Sequence, residues 1–322
     1  MVHDAARRGT LSSIASSESV LLINQQLETA QVREFAAGTV VYIVRRDPDK
    51  LTPNEDAIAL LPVGDTAGVL VIADGCGGQA NGQLASQLAI EAMADSVRQW
   101  EQPNNLRAPI LDGFEAAIQR VRQLGTGAAT TLIAVEINAR VIRTFHVGDS
   151  QALLVGSRGK IKLMTQSHSP VGYAMEAGML TEKAALQHED RHLVSNVIGA
   201  DDSHIDMGLP RTLDAQDTLL IGSDGLYDNL RLDEIVQLIR KGPLPKVAAT
   251  LANLVHHRMV SPSTAHPSKP DDLAIVLFRP CIATRRGKYP LPTHDESQGA
   301  TRLGDPADDL GQAARLSAVV KE

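Results

Sequence analysis

Five places along this 322-residue chain set carboxylates where a loop meets an apolar run. The stretch VLVIADGCGG drives four apolar residues and an alanine into Asp74 and then into glycines. TLLIGSDGLYDNL repeats the pattern with Asp224 before Gly225, and Asp228 stands one turn further on. TFHVGDSQALL carries Asp149 between two apolar runs, PNEDAIALL carries Glu55 and Asp56 just ahead of one, and KPDDLAIVLF carries Asp271 and Asp272 ahead of the last. An Asp-Gly pair is an ordinary turn former wherever a strand stops. A carboxylate beside a buried strand is nonetheless costly to desolvate unless paired, and the neighbouring Lys and Arg are too few to serve all five places. Divalent cations would do so. Mg²⁺ and Mn²⁺ take oxygen ligands, commonly a few carboxylates plus waters, and glycine at such a site lets the backbone come close. The ten histidines supply no H-x-x-x-H pair within an expected helix, and the adjacent His256 and His257 are expected on a solvated helix surface.

The elements that must hold these groups come in blocks. GTVVYIVRR, DAIALLPV and VLVIA read as strands, the last placing Asp74 at its tip. NGQLASQLAIEAMADSVRQW sets Leu84, Leu88, Met93, Val97 and Trp100 at helical spacing, and NLRAPILDGFEAAIQRVRQL does so with Leu106, Ile110, Phe114, Ile118 and Val121. ATTLIAVEIN, RVIRTFHVGD and QALLVGSRGKIKLM read as strands of an antiparallel meander, and a short helix is expected around AMEAGMLTEKAALQ. DTLLIGSDG is a strand, LDEIVQLIRKG and PKVAATLANLVHHRMV are helices, and LAIVLFRP is a closing strand. Strand blocks separated by helix pairs argue an α+β fold, antiparallel sheets covered by helices.

Apolar residues make up 43% of the chain, enough for a sizeable core. A net charge of −7, aromatics at 3% and the lack of a basic stripe give no case for nucleic acid. Cys76 and Cys281 cannot build a disulfide framework and match no zinc spacing, which suits a reducing cytosol. No segment has signal-peptide character or approaches the ~18 to 20 apolar residues of a membrane span, so a cytoplasmic protein without membrane insertion is expected. Residues 1–28 and 282–322 read as flexible arms around a domain over 29–281.

Six ordered motifs, NEDA, VIADGCGG, TGAATTLIAV, FHVGDSQALLV, LLIGSDGLYDNL and PDDLAIVLF, together resemble the metal-dependent protein Ser/Thr phosphatases of the protein phosphatase 2C family, and its compact bacterial branch most. The segment from Ser167 to Gly199 is similar to that branch's flap, at about 167–192, and the arginine-containing stretch after it. The resemblance implies two antiparallel β-sheets packed as a sandwich flanked by helices, α-β-β-α, with a two-metal centre at one end. It implies that Asp74 bridges both metals, that the Gly75 carbonyl reaches one, and that Asp224 and Asp271 hold the other. Glu55 and Asp56 match a ligand through water and its support, while Asp149 and Asp228, with Asp224, match a third, weaker position. Asp74, Asp224 and Asp271 would thus be catalytic through Mg²⁺ or Mn²⁺, two per site. The implied reaction is hydrolysis of phosphoserine and phosphothreonine in protein targets of a Ser/Thr kinase, by a water held between the metals and without a phosphoenzyme. The chemistry is coherent, because bare carboxylates would repel a phosphomonoester dianion and divalent ions invert that charge. An aspartate-nucleophile phosphatase would want a D-x-D after the first strand, which DGCGG does not supply.

This chain departs from the pattern at three places. Cys76 stands where many eukaryotic members have a histidine thought to protonate the leaving group; inert packing is expected of it, with redox control as the sharper alternative. Leu51 stands where they have a phosphate-gripping arginine, which leaves Lys50, Arg46 or Arg45 as substitutes without the same bidentate fit for lysine. Asp272 replaces a frequent asparagine, and its charge either supports the metal or is a solvated bystander, with exchanged roles for Asp271 and Asp272 left open. Two other readings stand beside the protein phosphatase: a small-molecule phosphomonoesterase, distinguished by its flap, and an inactive binding module, which would be expected to have lost the ligand aspartates that stand here.

Overall fold

The computed structural model describes residues 18–76, 81–100, 102 and 105–281. The chain divides into two units, Met1–Ile282 and Ala283–Glu322, and the C-terminal arm expected from residue 282 lies outside the described residues. One sheet runs in the order β1 (Val20–Leu22), β4 (Asp56–Val63), β5 (Ala67–Cys76), β7 (Leu132–Asn138), β8 (Val141–Val147), β11 (Asp206–Met207). To it β6 (Ala129–Thr130) adds on β5 and β12 (Arg211–Thr212) on β8. The second runs β10 (Ile161–Met164), β9 (Gln151–Val155), β13 (Thr218–Gly222), β14 (Leu273–Pro280), β3 (Gly38–Arg45), β2 (Gln31–Phe35). Neighbouring strands are antiparallel in both.

In β5, Val69 and Val71 face α1 (Gly82–Arg98) and α2 (Arg107–Arg122), packing with Ile90, Met93 and Phe114. Leu70 and Ile72 point the other way, into a layer shared with Val40, Ile221 and Val276 of the second sheet. On the far side of that sheet, Val41, Ile43 and Ile275 pack with α6 (Leu232–Ile239) and α7 (Leu244–Val260). Successive side chains leave a strand on opposite faces, so a strand dry on both reads as an unbroken apolar run even in an antiparallel sheet. The result is the expected α-β-β-α sandwich.

Several elements differ from expectation. Within the N-terminal arm expected over 1–28, Val20–Leu22 pair with β4, Val20 opposite Leu60 and Leu22 opposite Ile58, and residues 1–17 lie outside the described residues. The meander is split between layers: β7 and β8 belong to one sheet, while β9 and β10 join the other, where Gln151 faces Gly222. The helix expected within the flap is two, α3 (Pro170–Glu176) and α4 (Glu182–Ala185), since Ser169 and Thr181 each cap a separate start through their hydroxyls. In α1 the buried face is carried by Ala85, Ala89, Ile90, Met93 and Val97, and Leu84 and Leu88 are only half-buried.

Antiparallel pairing gathers the acidic junctions. The start of β4 lies against the end of β5, with Asp56 opposite Asp74. The end of β13 lies against the start of β14, just after Asp271, and the crossing from β8 to β9 carries Asp149 to the end of β13.

Candidate metal centre

β5 does not stop at Asp74, as its glycines suggested. Gly75 and Cys76 continue it against Thr130 and Ala129 of β6, and the Gly75 N–H donates to the Glu55 carbonyl at 3.1 Å. The Asp74 backbone is fully engaged: its N–H donates to Thr131 Oγ1 (3.1 Å), and its carbonyl accepts from the Thr131 N–H and Thr130 Oγ1, both at 2.8 Å. A Cβ on Gly75 would collide with the Gly82 carbonyl, and one on Gly82 with Glu55 Oε1, so the first turn of α1 seats directly on this strand end.

Across the ladder, Asp56 is buried, with Oδ2 accepting from Ser223 Oγ at 2.7 Å and Oδ1 left without a hydrogen-bond partner. Burial first, then the neighbouring Asp272, pushes its carboxyl well above the usual range. Asp74 is pushed up likewise, by burial and then by Asp56, Asp224, Asp271 and Asp149.

Asp224 opens the short helix α5 (Asp224–Tyr227), so it projects from a helix start and not from a strand. Gly225 beside it has no room for a Cβ, which would run into the Asp272 carbonyl, so α5 lies tight on the start of β14. Lys269 Nζ stands among the acids, 2.5 Å from Asp224 Oδ2, 2.9 Å from Asp228 Oδ2 and 3.1 Å from Asp271 Oδ2. The Asp228 approach lacks hydrogen-bond alignment, and that oxygen remains without such a partner. Burial and Asp224 push Asp271 up to about 7 and Asp228 up to about 6, with Lys269 holding both back. Asp149 is raised well above the usual range as well, by burial and then Asp224 and Asp228. A set of carboxyls that raise one another, with a single ammonium among them and two unpartnered oxygens, has room for more positive charge and offers it hard oxygen donors. That fits a magnesium-type cation.

The second acidic pair is engaged differently. Asp272 accepts from the backbone of Asp47 (2.8 Å) and Glu55 (2.7 Å) and from Lys50 Nζ (2.6 Å), and Lys50 also binds Glu55 Oε2 at 2.5 Å. Lys50, the candidate phosphate ligand, is therefore taken up by two carboxylates. Arg46 is exposed and, among the described residues, reaches the Thr52 carbonyl at 3.5 Å, while Arg45 binds Asn253 and the Glu28 carbonyl. Burial and then Asp74 push the Cys76 thiol well up, which keeps it protonated.

Between the acidic end and the flap lies a cavity of about 390 Å³, lined by Asp149, Asp224 and Asp228 on one side and Met175, Leu186 and Arg191 on the other. Arg191 ties flap to acid loop, donating to the carbonyls of Leu186 (2.5 Å) and Ser268 (2.8 Å). One group escaped the sequence reading. His146, His168 and Asp206 converge from β8, the start of the flap and β11. His168 Nδ1 accepts from the Gly148 N–H (3.1 Å) and from Asn196 Nδ2 (2.9 Å), which puts its proton on Nε2, 3.1 Å from Asp206 Oδ2. That tautomer leaves no lone pair for an ion and makes His168 a brace on the turn before Asp149. No local spacing could signal it, because its partners lie 20, 28 and 38 residues away.

A helix-covered antiparallel sandwich with oxygen donors gathered at one end, beside a cavity, defines a class: the divalent-metal-dependent hydrolases. Residues 18–259 match the family model described as protein phosphatase 2C. A putative protein phosphatase 2C-type from Streptococcus pyogenes is 31% identical over 201 residues, 59% of this chain and 80% of that protein. Protein phosphatase PhpP of Streptococcus pneumoniae is 30% identical over the same shares. The solved S. agalactiae serine/threonine phosphatase superposes with a TM-score of 0.65 at 25% identity, covering 74% of this chain and 98% of that one. The chain belongs to the protein phosphatase 2C family.

Proposed function

We propose that this chain removes phosphate from phosphoserine and phosphothreonine in proteins, with Mg²⁺ or Mn²⁺ as cofactor. The observation that carries this reading is the cluster of Asp56, Asp74, Asp149, Asp228 and Asp271, each raised by burial and by its neighbours, beside a cavity open to substrate. Asp74, the Gly75 carbonyl, Asp224 and Asp271 would hold two ions, with Glu55 and Asp56 in support and Asp149 and Asp228 suited to a third. Such ions, when bound, offset the charge of a phosphomonoester dianion and acidify water at the site. The chain's own residues position and exclude. Ser223 orients Asp56, Thr130 and Thr131 fix the Asp74 backbone, and Arg191 holds the flap over the cavity. The partners of this reading are phosphoproteins of a bacterial cytoplasm, the targets of a Ser/Thr kinase. Among the described residues no helix is long and apolar enough to cross a membrane.

Phosphate release from a phosphothreonine peptide, followed with Mn²⁺ and with chelator, tests it. Activity should require the ion and fall about a hundredfold or more in Asp74→Ala, since even outer-shell changes cost 10 to 100-fold. Equal release in chelator, or by the variant, would overturn the reading.

A further inference from the structure

Two lysines enter the acidic end, and they are built differently. Lys50 binds Glu55 and Asp272, and Asp272 also anchors the backbone of residues 47 and 55, so that ion pair is part of the frame. Lys269 binds Asp224, Asp228 and Asp271, the oxygens that the proposed function gives to metal ions. Its backbone is fixed from both sides by one buried side chain: Asn229 Oδ1 accepts from the Lys269 N–H at 2.9 Å, and Asn229 Nδ2 donates to the Lys269 carbonyl at 2.8 Å. The same Nδ2 donates to the Gly225 carbonyl at 2.9 Å, tying this clamp to α5, and Pro270 stiffens the next step of the chain. The backbone is thus held where a four-carbon stem delivers its ammonium among three carboxylates, and only that stem is free to move. It has somewhere to go, because Lys269 also lines an open cavity of about 1050 Å³ that it shares with Glu189.

We propose that Lys269 is a tethered cation that competes with divalent metal for Asp224, Asp228 and Asp271, and so raises the metal concentration this chain needs. The inference rests on the metal-dependent reading above. An ammonium and a divalent ion drawing on the same Oδ2 atoms stand close enough to repel strongly in a site of low dielectric, so one must leave for the other to bind. Without metal, the lysine supplies the charge that three crowded carboxylates lack. With metal, it swings out toward the open cavity.

Calorimetric titration of Mn²⁺ into the full chain, Lys269→Met and Lys269→Arg tests this. The Met variant should bind Mn²⁺ about tenfold or more tightly, the low end of what removing a close charge does to an equilibrium at a carboxylate, and the Arg variant should stay near wild type. Melting temperature should change sign with the ion: Lys269→Met melts below wild type in chelator and at or above it in saturating Mn²⁺. Unchanged or weaker Mn²⁺ binding by Lys269→Met overturns the proposal. If that variant does not fold, wild-type protein decides the matter by amine labelling of Lys269 read by mass spectrometry. Labelling should rise when Mg²⁺ saturates the site, and a constant or falling signal overturns the proposal. Wild type that neither binds Mn²⁺ nor releases phosphate would overturn the phosphatase reading and this one with it. Metal-dependent wild type with equal affinity in Lys269→Met removes the role of Lys269 alone.

Discussion

Asp271 and Asp272 are neighbours with separate work. Asp271 turns toward Asp224 and Lys269, while Asp272 turns back to collect the backbone of Asp47 and Glu55 and the Lys50 ammonium. The sequence places an acidic pair ahead of a strand, but the choice between the two depends on segments 217 and 225 residues away, which no local pattern reveals. The structure makes Asp272 a buried organiser instead of a solvated bystander. Three donors converge on it, so Asp272→Asn should destabilise the chain by roughly 2–3 kcal/mol, the cost of leaving a buried donor or charge unmatched. In urea unfolding, adding Lys50→Met to Asp272→Asn should cost less than the two single changes summed, because each alone strands the other's charge. Strictly additive costs would mean that the Lys50–Asp272 contact carries no energy.

At the scale of elements, apolar runs and Asp-Gly junctions made most strands and the helices α1, α2, α6 and α7 legible, because each is a local period. The sheet that each strand joins was not legible. β8 and β9 look like one hairpin in sequence, yet the first pairs with β7 and the second with β13, a choice made by which face each buries. The brace of His168 on Gly148 was hidden as well, since it joins residues 20 apart, and Asp206 reaches the other nitrogen of that ring from β11. The sharpest element-level constraint is α5 against β14, where Gly225 meets the Asp272 carbonyl. Gly225→Ala must push two pieces of backbone apart. It should cost about 1–3 kcal/mol in urea unfolding, as overpacking does, and should weaken Mn²⁺ binding by displacing Asp224. A stable variant with unaltered binding would show that α5 has slack on β14.

For the molecule as a whole, the acidic end couples folding, protons and metal. Folded Asp271 and Asp228 titrate at about 7 and about 6, against about 3.9 for an unfolded aspartate. A raised folded value means that the folded state holds the extra proton between the two, so this contribution is full below about pH 4 and is lost as pH rises through 6 and 7. His146 runs the other way. Burial and then His168 lower it to about 4, so its contribution is present above the ordinary histidine value of about 6.5 and is lost as pH falls toward 4. Melting curves in chelator mix the two trends. The increment that Mn²⁺ adds to the melting temperature separates them, because on the proposed reading Asp271 and Asp228 would shed protons to receive the ion, whereas His146 and His168 are not among its proposed ligands. That increment should be small near about pH 5 and grow up to about pH 8. An increment constant across this range would mean that the acids are ionised throughout, and that the positive charge of the chain itself is enough to keep them so.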